Sequence, residues 1–335
     1  MMNRLYPFAV LASAVGCLLL FVGLLAVLDR TGHLPPPALT NSICTDEKLA
    51  NMRSHPPQDP NFLVIGSSVA WRHFDSAALV RHDTAAKPYN GGFCGLAMHQ
   101  TGFAAHWLLD RFPTVREVLL IAVPQDFEHC GKEPAALFDV SDVDAYLASK
   151  RWPALFYLRY FDPFSLTRNA SSIAAMRSGS DLRDPMLFTQ FGDGPLDPGP
   201  QGGLGYGAVP KLDDACFAVL RQLAQQLTTQ QRQLIVAMTP MNPDWSRSFD
   251  PSGQTVKDFA DGLRQAVAGT SATVWDGNQN THFEAVDFSD GFHLRWASAR
   301  IFSERLIRGA IRPGERKNGK TVSLTSVSQT SVLIP

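Results

Sequence analysis

The 335 residues are 45% hydrophobic, and 30 basic against 31 acidic side chains leave a formal net charge of −1. Acids and bases are interspersed, so the chain lacks the basic face or stripe of a nucleic-acid binder, and no such partner is expected. No phosphate-binding Gly-Lys-Ser/Thr loop occurs and no Gly-x-Gly-x-x-Gly follows a strand. No Cys or His pair has zinc spacing, so neither a cofactor nor a metal is expected.

The run from Pro7 to Leu28 carries no charge. A bilayer core takes roughly 20 apolar residues to span, whereas a secretory signal has a shorter apolar core and a small-residue cleavage site. An uncleaved single-span anchor over 1–30 fits better than a cleaved signal. Arg4 lies before the span, while Asp29 and Arg30 cancel after it, which favours the amino terminus inside and the rest outside the cytoplasm. The expected location is the cytoplasmic (inner) membrane, single-pass, with the large domain on the periplasmic or extracellular side. Residues 31–43, rich in proline, read as a semi-extended stalk.

From Cys44 onward the pattern is globular. Phe62–Ile65, Val118–Val123, Leu234–Thr239 and Thr273–Trp275 are apolar without polar alternation, as parallel strands covered on both faces are, and Pro88–Asn90 makes a shorter fifth. Amphipathic stretches at Gly95–Phe112, Asp214–Gln231, Thr255–Gly269 and Trp296–Ile311 alternate with them. The fold class is therefore α/β, a three-layer, doubly wound parallel sheet over 44–312. An insertion over about 132–212 interrupts the alternation with an aromatic-rich helical stretch and a Pro/Gly-rich loop containing GGLGYG (Gly202–Gly207). It is either a lid or substrate platform, or a segment whose aromatics bury against the sheet. The tail, 313–335, has no helical periodicity and reads as flexible.

Four short blocks fall at strand ends or a helix start. Gly66-Ser67-Ser68-Val69 follows the first strand, and Asn90-Gly-Gly-Phe-Cys-Gly95 follows the short one. Val123-Pro124-Gln125-Asp126 ends the third, and Asp290-Gly-Phe-His293 precedes the last helix. A serine, a histidine and an aspartate three residues before that histidine are the parts that nucleophilic acyl transfer needs. The other eight histidines have no comparable setting.

In order and spacing these blocks resemble the SGNH (GDSL-type) hydrolase superfamily. That resemblance implies Ser68 as nucleophile, His293 as general base and Asp290 as the residue orienting it. It implies an oxyanion hole from the N–H groups of Ser68 and Gly95, with the Gln125 amide where the family carries Asn. The sequence departs from the family pattern at Ser67, where Asp is usual, and at Val123 and Gln125 in the third block. Trp71, Asp126 and Trp296 lie beside the blocks and are candidate substrate contacts. The anchor, the stalk, GSS in place of GDS, and His293-Leu-x-Trp296 resemble the membrane-anchored DltD-like and alginate-acetylation-like branch. That branch implies a serine O-acyltransferase or acylesterase acting on acyl groups, acetyl foremost, of a cell-envelope polysaccharide, beside a membrane-bound O-acyltransferase partner. A non-catalytic scaffold that binds glycan or such a partner is the rival expectation.

Cys17 falls in the span, leaving Cys44, Cys94, Cys130 and Cys216, an even number in a disulfide-permissive compartment, or else free buried thiols. In the fold implied, the loops carrying Cys94 and Cys130 rise from one sheet edge, which implies a Cys94–Cys130 disulfide; pairing either with Cys44 is the alternative.

Overall fold

The computed structural model describes residues 5–181, 185–196, 203–209 and 211–311. The tail over 313–335 and Gly202 of the glycine-rich loop lie outside the described residues. Helix α1 runs Leu5–Arg30 and α2 Ile43–Ser54. Strand β1 (Phe62–Gly66) leads into the short helices α3 (Ser68–His73) and α4 (Ser76–His82). Then come β2 (Pro88–Asn90), α5 (Met98–Arg111) and β3 (Glu117–Ala122). Past a 3₁₀ turn at Pro124–Phe127 lie α6 (Val140–Ala148), a 3₁₀ helix at Pro153–Leu158, α7 (Pro163–Asn169) and α8 (Ile173–Ser178). Next are α9 (Asp214–Thr229), β4 (Gln233–Met238), α10 (Pro243–Phe249) and α11 (Gln254–Val267). The chain continues through β5 (Thr273–Asp276), α12 (Gly277–Asn280) and α13 (Trp296–Leu306).

The five strands form one parallel sheet in the order β2-β1-β3-β4-β5. Their lack of alternation has a direct cause, because both faces are dry. Leu63, Ile65, Val118, Leu120, Leu234 and Val236 face α5, α9 and α11, and their neighbours Phe62, Val64, Leu119, Ile121, Ile235 and Ala237 face α3, α4 and α13. The chain steps from β1 outward to β2 and returns to the other side of β1 as β3. That reversal makes the carboxyl ends of β1 and β3 a topological switch point, where open α/β sheets place their ligands.

Helix α1 is long and apolar enough to cross a membrane, with mean hydropathy 2.7 over its best window. Its last turns pack on the inserted segment. Leu25 is buried with Leu34, Ala154, Tyr157 and Leu166, and Trp152 Nε1 donates to Asp29 Oδ2 at 2.8 Å. The stalk expected over 31–43 is correspondingly not a free spacer. Residues 34–37 are buried, and the Tyr157 hydroxyl donates to the carbonyls of Pro35 and Pro36. Proline has no N–H to satisfy but keeps its carbonyl, so a proline run buries readily wherever a donor meets it.

The described part of the insertion packs on the domain in several places. Its α6 buries Val143 and Tyr146 in the core. Phe191 and Gly194 then bond to the ends of β2 and α3, through Asn90 N–H to Phe191 O and Gly194 N–H to Trp71 O, both 2.8 Å.

The disulfides correct the expected Cys94–Cys130 pair. Cys44 bonds Cys94 and Cys130 bonds Cys216, with Cα separations of 6.1 and 5.3 Å. The Cys130 loop is drawn sideways to the start of α9, where Asp213 N–H donates to Phe127 O at 2.8 Å and Asp213 Oδ2 accepts from Gly131 N–H at 3.1 Å. Cys94 is left facing α2. Non-reducing peptide mapping should yield Cys44–Cys94 and Cys130–Cys216 peptides and no Cys94–Cys130 peptide. Replacing Cys130 and Cys216 together by serine should lower unfolding stability in urea by about 2–4 kcal/mol, as opening a loop of this size does.

Candidate active site

Gly66 ends β1 at φ 138°, and a Cβ there would lie 2.3 Å from Ile121 O and 2.7 Å from Ala70 Cβ. Only glycine lets the chain leave β1 this close to β3. Ser67 is then extended, and α3 begins at Ser68, which is half-buried at the sheet's carboxyl edge. A first-turn N–H has no intrahelical acceptor, and among the described residues neither Ser68 N–H nor Gly95 N–H has one elsewhere.

The structure brings Ser68, His293 and Asp290 together. Ser68 Oγ lies 2.8 Å from His293 Nε2, and His293 Nδ1 lies 2.7 Å from Asp290 Oδ2. The other carboxylate oxygen of Asp290 accepts the N–H groups of Phe292 at 3.0 Å and His293 at 2.8 Å. Desolvation would raise the Asp290 pKa, but the His293 hydrogen bond and charge and these two N–H groups hold it below the usual carboxylate value. An ionised Asp290 fixes the Nδ1–H tautomer, which leaves Nε2 with a lone pair toward the Ser68 hydroxyl.

The loop that carries the histidine is clamped by residues the sequence reading passed over. Asn242 Nδ2 donates to Asp290 O at 2.8 Å, Asn242 N–H to Gly291 O at 3.1 Å, and Gly291 N–H to Leu204 O at 2.8 Å. His73, fully buried at the end of α3, accepts Leu294 N–H at Nε2 (2.9 Å) and meets Thr239 Oγ1 at Nδ1 (2.7 Å). Burial, and secondarily the nearby His293, push its pKa well down, so it is neutral and donates to Thr239. Nothing in the local pattern around His73 marks it, since both partners come from distant segments. Tyr206, on the loop over 203–209, packs tilted against Phe292 at 4.3 Å and lies 6.1 Å from the His293 ring while remaining 44% exposed.

The remaining candidates divide. Gln125 sits on the 3₁₀ turn after β3 with both amide atoms buried and, among the described residues, without a hydrogen-bond partner. An unsatisfied buried amide is costly and marks a group held for another purpose. Asp126 turns its carboxyl inward, accepting Val123 N–H at 3.2 Å. Burial pushes it up to about 7, against the hydrogen bonds from Ser67 and Val123 that lower it. It braces the turn. Trp71 is fully buried, 5.3 Å from Phe188 and with the Arg72 guanidinium 4.0 Å over its ring, a packed position that opens to no surface. Trp296 is half-buried against the core at the start of α13 and donates its N–H to Leu196 O at 2.7 Å. Among the described residues no cluster of His, Cys, Asp and Glu has the makings of a metal site.

Compared with known proteins, the sequence matches no family model and no curated protein.

Two outcomes test this reading of the supports. The folded-state pKa of Asp126 exceeds that of an unfolded Asp, so the native state binds the extra proton between about pH 4 and 7 and loses stability as pH rises through that window. Stability measured by urea across that window should therefore fall in the wild type relative to Asp126→Asn, and level off above it. His73→Phe strands Leu294 N–H and the Thr239 hydroxyl, and should cost about 2–3 kcal/mol, with His73→Gln recovering part of it.

Proposed function

We propose that the protein is a membrane-anchored serine O-acyltransferase or acylesterase of the SGNH kind, with the three-layer sandwich of that superfamily. It would act outside the cytoplasm on acyl groups, acetyl foremost, of a cell-envelope polysaccharide. The observation that carries the proposal is the unbroken hydrogen-bonded chain Ser68 Oγ–His293 Nε2 and Nδ1–Asp290 Oδ2 at the switch point of the sheet.

In this reading His293 Nε2 takes the Ser68 proton as Oγ bonds to the ester carbonyl carbon. The carbonyl π electrons move onto oxygen, where the N–H groups of Ser68 and Gly95 and the unpartnered Gln125 amide receive the charge. Collapse expels the alcohol, which takes the proton from His293, and leaves an acyl-Ser68 ester. A second hydroxyl, from a sugar or from water, gives its proton to the same Nε2 as its oxygen bonds the acyl carbon, and the acyl–Oγ bond then breaks as Nε2 returns the proton to Ser68. The first case is transfer and the second hydrolysis. Asp290 stays ionised throughout and balances the imidazolium.

The sugar preference rests on Tyr206, an exposed ring beside the base on which the apolar face of a sugar can lie. Helix α1 fits the membrane setting, and a membrane-bound O-acyltransferase is the partner expected to supply or share the acyl group.

Incubating the full chain in detergent with p-nitrophenyl acetate tests the proposal. Ser68→Ala and His293→Ala should each abolish turnover with the melting temperature nearly unchanged, and acetylated Ser68 should be recovered in the wild type. Gln125→Ala should reduce the rate by about 10²–10³. Turnover that survives Ser68→Ala would overturn it.

A further inference from the structure

The inserted segment reaches back along α1. Phe161 meets Phe21 edge-to-face at 5.0 Å, and Leu25, one turn further on, is fully covered by the same segment. Phe21 lies seven residues before Leu28, the end of the uncharged run. At about 1.5 Å per helical residue that is about 10 Å inside it. If α1 spans a bilayer whose hydrocarbon takes up that run, whatever touches Phe21 stands below the headgroups.

The surface this segment presents there is apolar. Leu155 is 41% exposed, Leu158 55%, Phe161 49% and Phe164 82%, all within ten residues. Single exposed apolar residues are ordinary on soluble proteins, but a cluster of this kind continuous with a second apolar surface is not. Helix α1, exposed around most of its circumference, is that second surface, with Leu18, Leu20 and Leu24 at 50, 76 and 49%. Lys150, Arg151 and Arg168 flank the cluster and are exposed, the arrangement of cationic residues around an apolar face that suits anionic headgroups.

We propose that the segment from Pro153 to Asn169 is a second membrane element, immersed in the outer leaflet beside α1. Its occupant is the lipid bilayer. The Trp152–Asp29 and Tyr157–Pro35/Pro36 bonds tie it to α1 and to the residues after it, so the domain is held in one orientation on the membrane instead of swinging on a tether. The same contacts make α1 part of the folded domain, as a retained anchor would be and a removed signal would not. The proposal rests on α1 crossing the bilayer and is independent of the chemistry at Ser68.

Nitroxide labels on the full chain in phosphatidylethanolamine–phosphatidylglycerol vesicles decide it. With Cys17→Ser as background, single variants Phe164→Cys, Leu158→Cys, Leu20→Cys and Val286→Cys are labelled, and collision with oxygen is compared with collision with a water-soluble nickel chelate. The labels at Phe164 and Leu158 should favour oxygen, as the one at Leu20 in α1 does, while the label at exposed Val286 favours nickel. Nickel access at Phe164 and Leu158 equal to that at Val286, with Leu20 still shielded, would place the patch in water and overturn the proposal. Nickel access at Leu20 as well would remove the span and the proposal with it.

Discussion

The contact on which the site depends is the closeness of two backbones, β1 at Gly66 and β3 at Ile121, where no Cβ fits. Because β1 leaves the sheet there, α3 starts at once and Ser68 falls on its first turn. The same short helix ends at His73, whose ring holds Leu294 beside the histidine loop. One short helix thus carries Ser68 at one end and, at the other, the ring that holds the segment beside His293. Ser68 and His293 are 225 residues apart in sequence, yet they meet at 2.8 Å because α3 and the bonds from His73, Asn242 and Leu204 hold the two segments together.

Beneath that helix lies a buried polar layer that fixes the neighbouring loops. Asn90 donates to Ala70 O, Trp71 O and Asp193 Oδ1 and accepts Gly92 N–H, so β2, α3 and the inserted segment share one amide. Asp193 also accepts from Ser76, and the Lys48 ammonium donates to Gly192 O. Burial pushes Lys48 far down and Asp193 up to about 6, with each charge working against that effect on the other. Such buried groups contribute little net stability, but removing one partner leaves the other uncompensated, so the layer favours a single arrangement over any alternative. The Cys44–Cys94 bridge joins α2 to the Gly95 loop alongside it.

What was legible in the sequence follows from how far each signal reaches. Strands packed in a sheet covered on both faces declare themselves in three to six residues, and all five lie within one residue of their expected bounds. The Asp290–His293 spacing is local too, because the carboxylate caps the turn that presents the ring. His73, Asn242 and Tyr206 act through partners on other segments, and no local pattern marks them. The stalk was misread because proline composition signals extension without saying what the extended chain lies against. The cysteine pairing failed for a related reason. Two loops that share a sheet edge can still turn to opposite sides of it, and it is the Asp213 contacts that turn the Cys130 loop.

The serine that departs from the resembled pattern in the first block meets the aspartate of the third in space, for the Ser67 hydroxyl hydrogen-bonds the Asp126 carboxyl. An aspartate in place of Ser67 would set a second carboxylate against Asp126 in a site dry enough to push Asp126 itself up to about 7. Two buried carboxylates in contact cannot both ionise, so one would be forced to keep its proton. A serine there supplies a hydroxyl that donates to Asp126 in either charge state of that carboxyl. The turn before Ser68 is thereby braced without a second charge beside it. The carboxylate that does approach Ser68 is then Asp290, on the far side of the His293 ring, where the ring stands between its charge and the Ser68 hydroxyl.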